Sequence, residues 1–272
     1  MKAPLINIVV PVYNEELVLA GSIGKVTAFL AEQCSYPFEI VIADNGSTDN
    51  TLEVARRLQI QFPGVTVLRL DQKGRGGAVK RAWGQSQADV LSYMDVDLST
   101  GLEAFPALIK ALLTDGYDLA AGSRLLRPSL TRRSLKRELI SRAYNCLVKS
   151  VFRTRFSDAQ CGFKAITRQA AGQLLPLVQD DAWFMDTELL VLAEKLGYRI
   201  FDLPVHWVED PDSKVRLWRT AWEDLKGLWR VRRRLSSLEP LRLAERRSVP
   251  NAAPCPAAGT ATSSGRNPGQ QP

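Results

Sequence analysis

The chain has 272 residues and a net charge of +7, from 36 lysines and arginines against 29 aspartates and glutamates. This length corresponds to one large domain or two small ones, at about 100–200 residues per domain. The hydrophobic fraction of 45 % is that of a globular protein and excludes a wholly disordered chain. A single histidine excludes a multi-histidine metal site, and the four cysteines contain no C-x-x-C pair. We therefore expect no zinc site, no disulfide framework and a reduced, cytosolic protein.

The charge is distributed unevenly along the sequence. Residues 1–126 contain 11 basic and 14 acidic residues, a net charge of −3, whereas residues 127–272 contain 25 basic and 15 acidic residues, a net charge of +10. A basic half predicts an anionic partner, which could be nucleic acid, phospholipid headgroups or a phosphorylated substrate. No apolar run reaches about 18 residues, and Met1 and Lys2 lead into an apolar segment without a cleavage site. We expect neither a spanning helix nor a signal peptide, so any membrane contact is made from the surface.

In the first half of the chain, short apolar runs alternate with amphipathic segments. The predicted strands are Leu5–Val12, Phe38–Ala43, Val65–Leu70, Val90–Met94 and Asp118–Ala121. The predicted helices between them are Glu15–Glu32, Thr48–Phe62, Gly77–Ser86 and Leu102–Thr114. This alternation is typical of βαβ units and predicts a doubly wound α/β sheet with helices on both faces.

The pattern changes after Gly122. Two long basic segments space their apolar residues as amphipathic helices do, at Leu130–Phe156 and Val215–Leu235. The elements predicted between them are a compact segment at Cys161–Phe163, helices at Gln169–Leu175 and Asp186–Lys195, and a strand near Arg199–Val205. From Glu239 onward Pro, Ala, Ser, Gly and Arg dominate, which predicts a domain over residues 1–238 and a disordered tail over residues 239–272.

Polar clusters follow the first four predicted strands. Ligands of open α/β sheets bind beyond the carboxyl ends of the strands. Each cluster alone is compatible with an ordinary turn or helix cap, but four in succession on one rim predict a binding site. The clusters are Pro11 with Tyr13–Glu16, Asp44–Ser47 with Asp49, Lys73–Gly77, and Asp95 with Asp97 and Ser99.

Asp95 and Asp97 are two residues apart, so strand alternation points their carboxylates the same way. Such carboxylates repel each other unless a cation lies between them. Oxygen ligands suit Mg²⁺ or Mn²⁺, which take one or two carboxylates together with substrate phosphates. The alternative is a solvated strand end with a helix cap at Ser99 or Thr100. The glycine-rich segment 73–77 fits an anionic ligand but matches neither the Walker A pattern nor G-x-G-x-x-G, which disfavours a P-loop kinase and a dinucleotide dehydrogenase.

The order and spacing of three motifs resemble those of glycosyltransferase family 2 enzymes, which have a GT-A fold. These motifs are Pro11–Glu16 (PVYNEE), Asp44–Asp49 (DNGSTD) and Asp95–Asp97 (DVD). Others are similar to the polyprenyl-phosphate glycosyltransferase branch, and most similar to dolichyl-phosphate β-glucosyltransferases. They are Lys73–Val79, Ala121–Arg124, Asp158–Lys164, Trp183–Glu188 and Ser213–Arg216. The resemblance covers about residues 5–235 and implies a Rossmann-like, mixed but mostly parallel sheet with helices on both faces.

The resemblance also implies roles for the matching residues. Residues 1–126 would form the nucleotide-sugar half, and residues 127–238 the acceptor and membrane-facing half. The nucleotide-sugar donor would be bound by Pro11, Tyr13, Glu15, Asp44, Gly46, Lys73, Arg75 and Gly76. Asp95 and Asp97 would hold Mg²⁺ or Mn²⁺, and the catalytic carboxylates would be Asp95, Asp97, Asp158 and Asp186. The acceptor phosphate would be met by Arg124, Gln160, Lys164 and Arg216.

At two positions the roles of the family's residues do not carry over directly to this sequence. Ser99 stands where mannosyl-transferring relatives often carry Gln, which puts a third metal ligand there in doubt. Asp186 falls near the catalytic base of other family members, but the acceptor phosphate, with a second pKa near 6, is already ionised at neutral pH. A strong base is then unnecessary, and Asp186 could equally cap a helix. The chemistry needs positioning, metal stabilisation of the leaving diphosphate and in-line attack, which predicts inversion.

The two basic helices predict contact with a membrane surface. Each joins an apolar stripe to Lys and Arg, and the second adds Trp218, Trp222 and Trp229, a composition typical of interfacial helices. The alternative is a pair of core-packing helices with solvated basic faces. Because the tryptophans follow helical spacing beside leucine, we favour lipid over nucleic acid and expect no nucleic-acid partner.

The sequence thus predicts an inverting, metal-dependent transferase that moves glucose from UDP-glucose onto polyprenyl or dolichyl phosphate. We expect it in the cytoplasm, peripheral on the cytoplasmic face of a membrane. A GDP-mannose-dependent enzyme with the same acceptor is the first alternative. Alternatives of another class are a basic nucleic-acid-binding protein and a non-catalytic sugar-nucleotide binder, the latter disfavoured by the presence of both Asp95 and Asp97.

Overall fold

The structure, a computed structural model, describes residues 2–127, 129–132, 135–208, 222–235 and 237. Its central sheet has seven strands. They are β1 (Ile6–Val12), β2 (Phe38–Asn45), β3 (Val65–Leu70), β4 (Val90–Met94), β5 (Leu119–Ser123), β7 (Phe163–Thr167) and β8 (Ile200–Pro204). A small second sheet pairs β6 (Thr131–Arg132) in parallel with β9 (Trp207–Val208).

Helices cover both faces of the central sheet. In the described part of the chain they are α1 (Leu19–Gln33), α2 (Thr51–Gln61), α3 (Arg75–Gln85), α4 (Phe105–Leu113), α5 (Leu135–Phe152), α6 (Arg168–Leu174), α7 (Met185–Leu196) and α8 (residues 222–235). Leu19 of α1 and Phe105 of α4 join one hydrophobic cluster with Ile8 of β1. Trp83 of α3 and Val231 of α8 join the other cluster, on the opposite face. Strand alternation thus supplies two cores from one sheet.

The strand order β3-β2-β1-β4-β7-β5-β8 makes the sheet mixed and mostly parallel. β1 pairs in parallel with β2 and with β4, while β7 runs antiparallel between β4 and β5. The carboxyl ends of β1, β2 and β4 therefore meet at one edge of the sheet. The predicted fold class, an α/β sheet with helices on both faces, is confirmed.

Strand β7 is absent from the sequence prediction, which placed only a compact segment there. Its sequence, FKAIT, has a lysine at the second position, where a buried central strand is expected to be apolar. Lys164 lies opposite Tyr93 in the register with β4, and it is buried. A charged side chain in a central strand requires a partner that the local sequence does not show.

The first helix begins four residues later than predicted, at Leu19 rather than Glu15. The residues before it form a turn in which Asn14 has a positive φ of 57°. The backbone N–H of Glu15 donates to Oγ1 of Thr51 at 2.7 Å, and the side chain of Asn14 accepts from the backbone of Thr48 at 2.8 Å. These tertiary hydrogen bonds replace the first helical turn.

The predicted basic helix Leu130–Phe156 is shorter in the structure. Thr131 and Arg132 form β6, and the helix itself runs over Leu135–Phe152. In the second predicted basic helix, residues 222–235 are helical, while residues 215–221 lie outside the described residues, as does the predicted tail. None of the helices in the described ranges has the length and hydropathy needed to cross a bilayer.

Helix α8 is attached to the body of the protein by a buried carboxylate. Glu188 of α7 is fully buried and accepts from Arg230 at 3.1 Å and from Arg234 at 3.3 Å, both on α8. Gly227 of α8 lies against Phe184, where an added Cβ would stand 2.4 Å from the ring. Because a buried carboxylate is costly without cations, α8 is held in one position by charge as well as by close packing.

We expect Glu188→Ala to lower the free energy of unfolding by about 3 kcal/mol, because it removes the buried acceptor that Arg230, Arg234 and the backbone N–H of Asp180 share. Urea denaturation measures this loss. The matched control is Glu53→Ala, which removes an exposed carboxylate paired with Arg57 on α2 and should change stability by less than about 0.5 kcal/mol. Equal losses for the two variants would contradict the attachment of α8 through Glu188.

Candidate functional site

The sequence-predicted polar residues collect at the edge where the parallel strands end. Pro11 lies near the end of β1 and Asp44 near the end of β2, and the register places Val12 opposite Asp44. Asp95 follows β4 directly. Because β3 is also parallel to β2, the strand order brings all four predicted clusters to this edge.

Asp44 presents a buried acceptor that the described residues leave open. Its side chain is fully buried; Oδ1 accepts from the backbone N–H of Ser47 at 3.2 Å, but Oδ2 has no hydrogen-bond partner among the described residues. A buried acceptor of this kind costs about 1–3 kcal/mol. Nearby on the rim, Nζ of Lys73 stands 3.5 Å from the ring centroid of Tyr13. This corner offers an acceptor, an aromatic face and a cation to a ligand.

The glycines of the segment 73–77 serve close packing. A Cβ on Gly74 would lie 2.6 Å from the carbonyl oxygen of Asp181, and a Cβ on Gly76 would lie 2.6 Å from Cβ of Met185. The backbone N–H of Gly77 donates to the same carbonyl of Asp181 at 2.9 Å. Helix α3 can therefore begin directly against the segment that precedes α7. At the rim of β2, Gly46 has a φ of +72°, a left-handed conformation that favours glycine.

Asp186 lies at the centre of a buried charge cluster. Its Oδ2 accepts from Nη1 of Arg75 at 2.8 Å, and its Oδ1 lies 3.1 Å from Nζ of Lys164. The hydroxyl of Tyr93 donates to the same Oδ1. Burial acts to raise the pKa of Asp186, but the charges of Lys164 and Arg75 outweigh it and leave the pKa below its usual value. Asp186 is therefore ionised and bound by three donors.

The alternative that Asp186 caps a helix is wrong. It lies in the first turn of α7, where Phe184 is the N-cap residue and no side chain caps the helix. The alternative cap at Ser99 or Thr100 is also wrong. The 3₁₀ turn that follows begins at Leu102 with Gly101 as its N-cap, again without a side-chain cap.

Asp95 is clamped between Arg75 and Gly162. Its Oδ1 accepts from Nη2 of Arg75 at 2.6 Å and from Nε at 3.1 Å. A Cβ on Gly162 would lie 1.6 Å from Oδ2 of Asp95, and the backbone N–H of Asp95 donates to the carbonyl of Gly162 at 3.2 Å. Glycine at position 162 is thus what allows the carboxylate of Asp95 to occupy this place.

Asp97 lies on the exposed side of the same loop. Asp95 is partly exposed and Asp97 is exposed, whereas Val96 between them is buried. Oδ1 of Asp97 accepts from the backbone N–H of Ser99 at 2.9 Å, and Leu98 has a positive φ of 51°. A non-glycine residue in this conformation costs free energy and is characteristic of functional loops. Within the described residues, no group of three or more His, Cys, Asp or Glu side chains forms a metal site.

Arg124 and Asp158 form a second buried ion pair at the end of β5. Nε and Nη2 of Arg124 bind the two carboxylate oxygens of Asp158 at 2.7 and 3.0 Å. Although burial acts to raise it, the pKa of Asp158 is lowered to about 2 by Arg124. Nε2 of Gln160 donates to Oδ2 of Asp224 on α8 at 2.9 Å. Arg216, the remaining residue predicted to meet an acceptor phosphate, lies outside the described residues.

One segment, residues 158–164, connects the two ion-paired clusters. Asp158 binds Arg124, Gly162 touches Asp95, and Lys164 binds Asp186. Sequence reasoning identified this segment but missed Tyr93, which was read only as part of an apolar strand. Its signal is its position two residues before Asp95, on the same side of β4.

Comparison with known proteins identifies relatives over most of the chain. Residues 7–175 match the family model described as Glycosyl transferase family 2. Glycosyltransferase AglD of Haloferax volcanii is 37 % identical over 217 residues, covering 79 % of this chain and 35 % of AglD. Dolichyl-phosphate beta-glucosyltransferase of Dictyostelium discoideum is 29 % identical over 240 residues, covering 84 % of this chain and 73 % of the relative. The chain thus spans about a third of the length of AglD.

A solved structure supports the fold. Glucosyl-3-phosphoglycerate synthase from Mycobacterium tuberculosis, in complex with Mn²⁺, UDP-glucose and phosphoglyceric acid, superposes with a TM-score of 0.61 at 19 % identity. The match covers 92 % of this chain and 82 % of the synthase. The predicted GT-A type of sheet is confirmed by this likeness.

We expect Gly162→Ala to push the carboxylate of Asp95 away from Arg75. Losing a charge-assisted hydrogen bond lowers the free energy of unfolding by about 1.5–3 kcal/mol, which thermal or urea denaturation detects. The control is Gly172→Ala in α6, where an added Cβ meets nothing within 4 Å; this variant should be unchanged or stabilised by up to about 1 kcal/mol. A Gly162→Ala protein as stable as the control would contradict the clamp.

Proposed function

The chain belongs to glycosyl transferase family 2, and we propose that it transfers glucose from UDP-glucose to a polyprenyl or dolichyl phosphate. Relatives at 28 to 30 % identity over most of the chain are dolichyl-phosphate beta-glucosyltransferases. The observation that carries the proposal is the convergence of Asp95, Asp186 and Arg124 on the single segment 158–164. The segment connects Asp95, which with Asp97 is suited to a metal-bound diphosphate, to the region of Arg124, which is suited to a second phosphate.

The donor would occupy the corner formed by β1, β2 and the segment 73–77. The open Oδ2 of Asp44 can accept from an N–H or O–H of the base or ribose. Tyr13 and Lys73 stand at the mouth of this corner. Pro11, Glu15 and Gly46 belong to the same rim and would complete the pocket.

Asp95 and Asp97 would hold Mg²⁺ or Mn²⁺. Both are accessible, both offer hard oxygen ligands, and two carboxylates leave the remaining positions to diphosphate and water, as these ions prefer. When bound, the ion neutralises negative charge on the departing nucleotide diphosphate. Ser99 does not need to contribute a ligand in this arrangement.

The acceptor phosphate needs orientation more than activation. Its oxygen is ionised at neutral pH, since the second phosphate pKa is near 6. Asp186, with a lowered pKa and three bound donors, is a poor proton acceptor. Its role in the proposed reaction is to hold Arg75 and Lys164, while Arg124 and Gln160 lie on the acceptor side. In-line attack by the oriented phosphate inverts the anomeric configuration.

The exposed faces of α5 and α8 would rest on a membrane surface. Trp222 and Trp229 are 61 and 62 % exposed on α8, and Leu225 lies between them. Lys226 and Arg233 stand over the rings of the two tryptophans. On α5, Leu139 is 71 % exposed. Aromatic side chains flanked by cations are typical of helices in the bilayer interface, and the proposed location is the cytoplasmic face.

We expect the protein to glucosylate a polyprenyl phosphate in vesicles when UDP-glucose and Mg²⁺ or Mn²⁺ are supplied, with the product identified by mass. Asp97→Asn should lower the rate by about 100-fold or more, since it weakens a metal ligand. Asp115→Asn, which changes a surface carboxylate paired with Lys110, should retain the wild-type rate. If the protein transfers mannose from GDP-mannose and no glucose from UDP-glucose, the proposed donor is wrong. A full rate for Asp97→Asn would contradict the metal site.

We expect the double variant Trp222→Ala/Trp229→Ala to bind vesicles of anionic phospholipid about 10–100-fold more weakly, because two large apolar side chains no longer enter the interface. Vesicle sedimentation measures the affinity. Ile60→Ala removes an exposed apolar side chain from α2 and should leave binding unchanged. Salt-sensitive DNA binding by the wild type, without vesicle binding, would overturn the membrane assignment in favour of nucleic acid.

A further inference from the structure

Asp224 is a buried carboxylate that the attachment of α8 does not use. Its side chain is 4 % exposed, whereas the ion pairs that fix α8 are made by Arg230 and Arg234. Oδ2 of Asp224 accepts from Nε2 of Gln160 at 2.9 Å, and Oδ1 has no partner within the described part of the chain. A carboxylate is costly to bury, and among the described residues the one hydrogen bond that Asp224 accepts comes from Gln160.

The charges around Asp224 do not favour its ionised form. Burial raises its pKa to about 7, against the hydrogen bond from Gln160, and repulsion from Asp180 and Glu223 acts in the same direction as burial. Burial raises the pKa of the Tyr144 phenol on α5, and the negative charge of Asp224 raises it further. Asp180 precedes α7, and Glu223 lies on α8 itself.

The backbone around Gln160 is held in place by hydrogen bonds and by a close contact at Gly162. Its own backbone N–H donates to Oδ1 of Asp158 at 3.1 Å. The backbone N–H of Ala159 donates to Oδ1 of Asn145 on α5 at 2.8 Å. Two residues further on, Gly162 touches Asp95. The side chain of Gln160 is held from a different direction, by α8.

We propose that Asp224 is a positioning residue that orients the side-chain amide of Gln160 toward the acceptor phosphate. This inference rests on the proposed function. An amide nitrogen carries two N–H donors; Asp224 accepts one, which fixes the plane of the amide and leaves the second for a phosphate oxygen. The neighbouring residue, Leu225, and Trp222 lie on the exposed face of α8. The same helix therefore joins the lipid-facing surface to the acceptor subsite.

The test is a double-mutant cycle on the full chain, with polyprenyl phosphate in vesicles and UDP-glucose as donor. Asp224→Ala should raise the KM for polyprenyl phosphate about tenfold, from the loss of a hydrogen bond to a charged group. The KM for UDP-glucose should stay unchanged and kcat should fall less than about threefold. If Asp224 acts through Gln160, the double variant Asp224→Ala/Gln160→Ala should match Gln160→Ala alone.

A conservative variant separates positioning from folding. In Asp224→Asn the amide oxygen still accepts from Gln160, so the acceptor KM should remain within about twofold of wild type at pH 8. Because the carboxylate is the stronger acceptor and protonates near pH 7, the ratio of wild-type to Asp224→Asn acceptor KM should rise as the pH falls through 7. Titration of the acceptor phosphate affects both proteins equally and cancels in this ratio. Because the measurement does not use Asp224→Ala, it remains valid where that variant is poorly folded.

The control is Glu223→Ala, which removes an exposed carboxylate from the same turn of α8; measured at pH 8, where loss of the repulsion from Glu223 only favours the ionised form of Asp224 further, it should leave both KM values within about twofold. Additive effects in the cycle, or a pH-independent ratio for Asp224→Asn, would overturn the positioning role while leaving the transferase intact. A wild-type protein that transfers no sugar to polyprenyl phosphate would overturn the proposed function, and this inference with it.

Discussion

The ionised carboxylate of Asp186 is the constraint on which the centre of the molecule depends. A carboxylate removed from water must be bound by cations and hydrogen-bond donors. Asp186 of α7 receives Arg75 from α3, Lys164 from β7 and Tyr93 from β4. Because these groups come from four different elements, α3, β4, β7 and α7, satisfying one buried charge fixes how those elements are arranged. The antiparallel strand β7, which interrupts the parallel sheet, carries one of the two cations to this point.

Much of the fold follows from the sequence because periodicity and burial act locally. β3 and β4 have the predicted bounds, since each is a short run rich in β-branched and apolar residues, and β4 is buried along its whole length. β7 could not be predicted in this way because Lys164, which has no place in a buried strand by itself, becomes acceptable only beside Asp186. The start of α1 was misplaced for a similar reason, since the backbone N–H of Glu15 bonds to Thr51 on another helix.

The candidate site likewise has one part that the sequence predicts and one part that it does not. The rim residues, such as Asp44 and Asp95, could be placed together from the sequence because parallel strands end at one edge. The sequence does not show which charged side chains form ion pairs. In the structure Arg75 joins Asp95 to Asp186, and Arg124 binds Asp158. Whether a charged side chain faces a ligand or another side chain depends on tertiary contacts, and such contacts decide the role of Asp186.

Charge balance explains why a metal-bound donor suits this site on the proposed function. Asp95 and Asp186 are matched by Arg75 and Lys164, so the buried cluster is already neutral. It therefore has no spare cation for a nucleotide diphosphate, which adds negative charge at the same rim. Lys73 can offset part of that charge, and a divalent ion held by Asp95 and the exposed Asp97 can offset the rest. Asp97 places a second carboxylate close to the already paired Asp95, and on the proposed function a divalent ion bound by both would offset the repulsion between them.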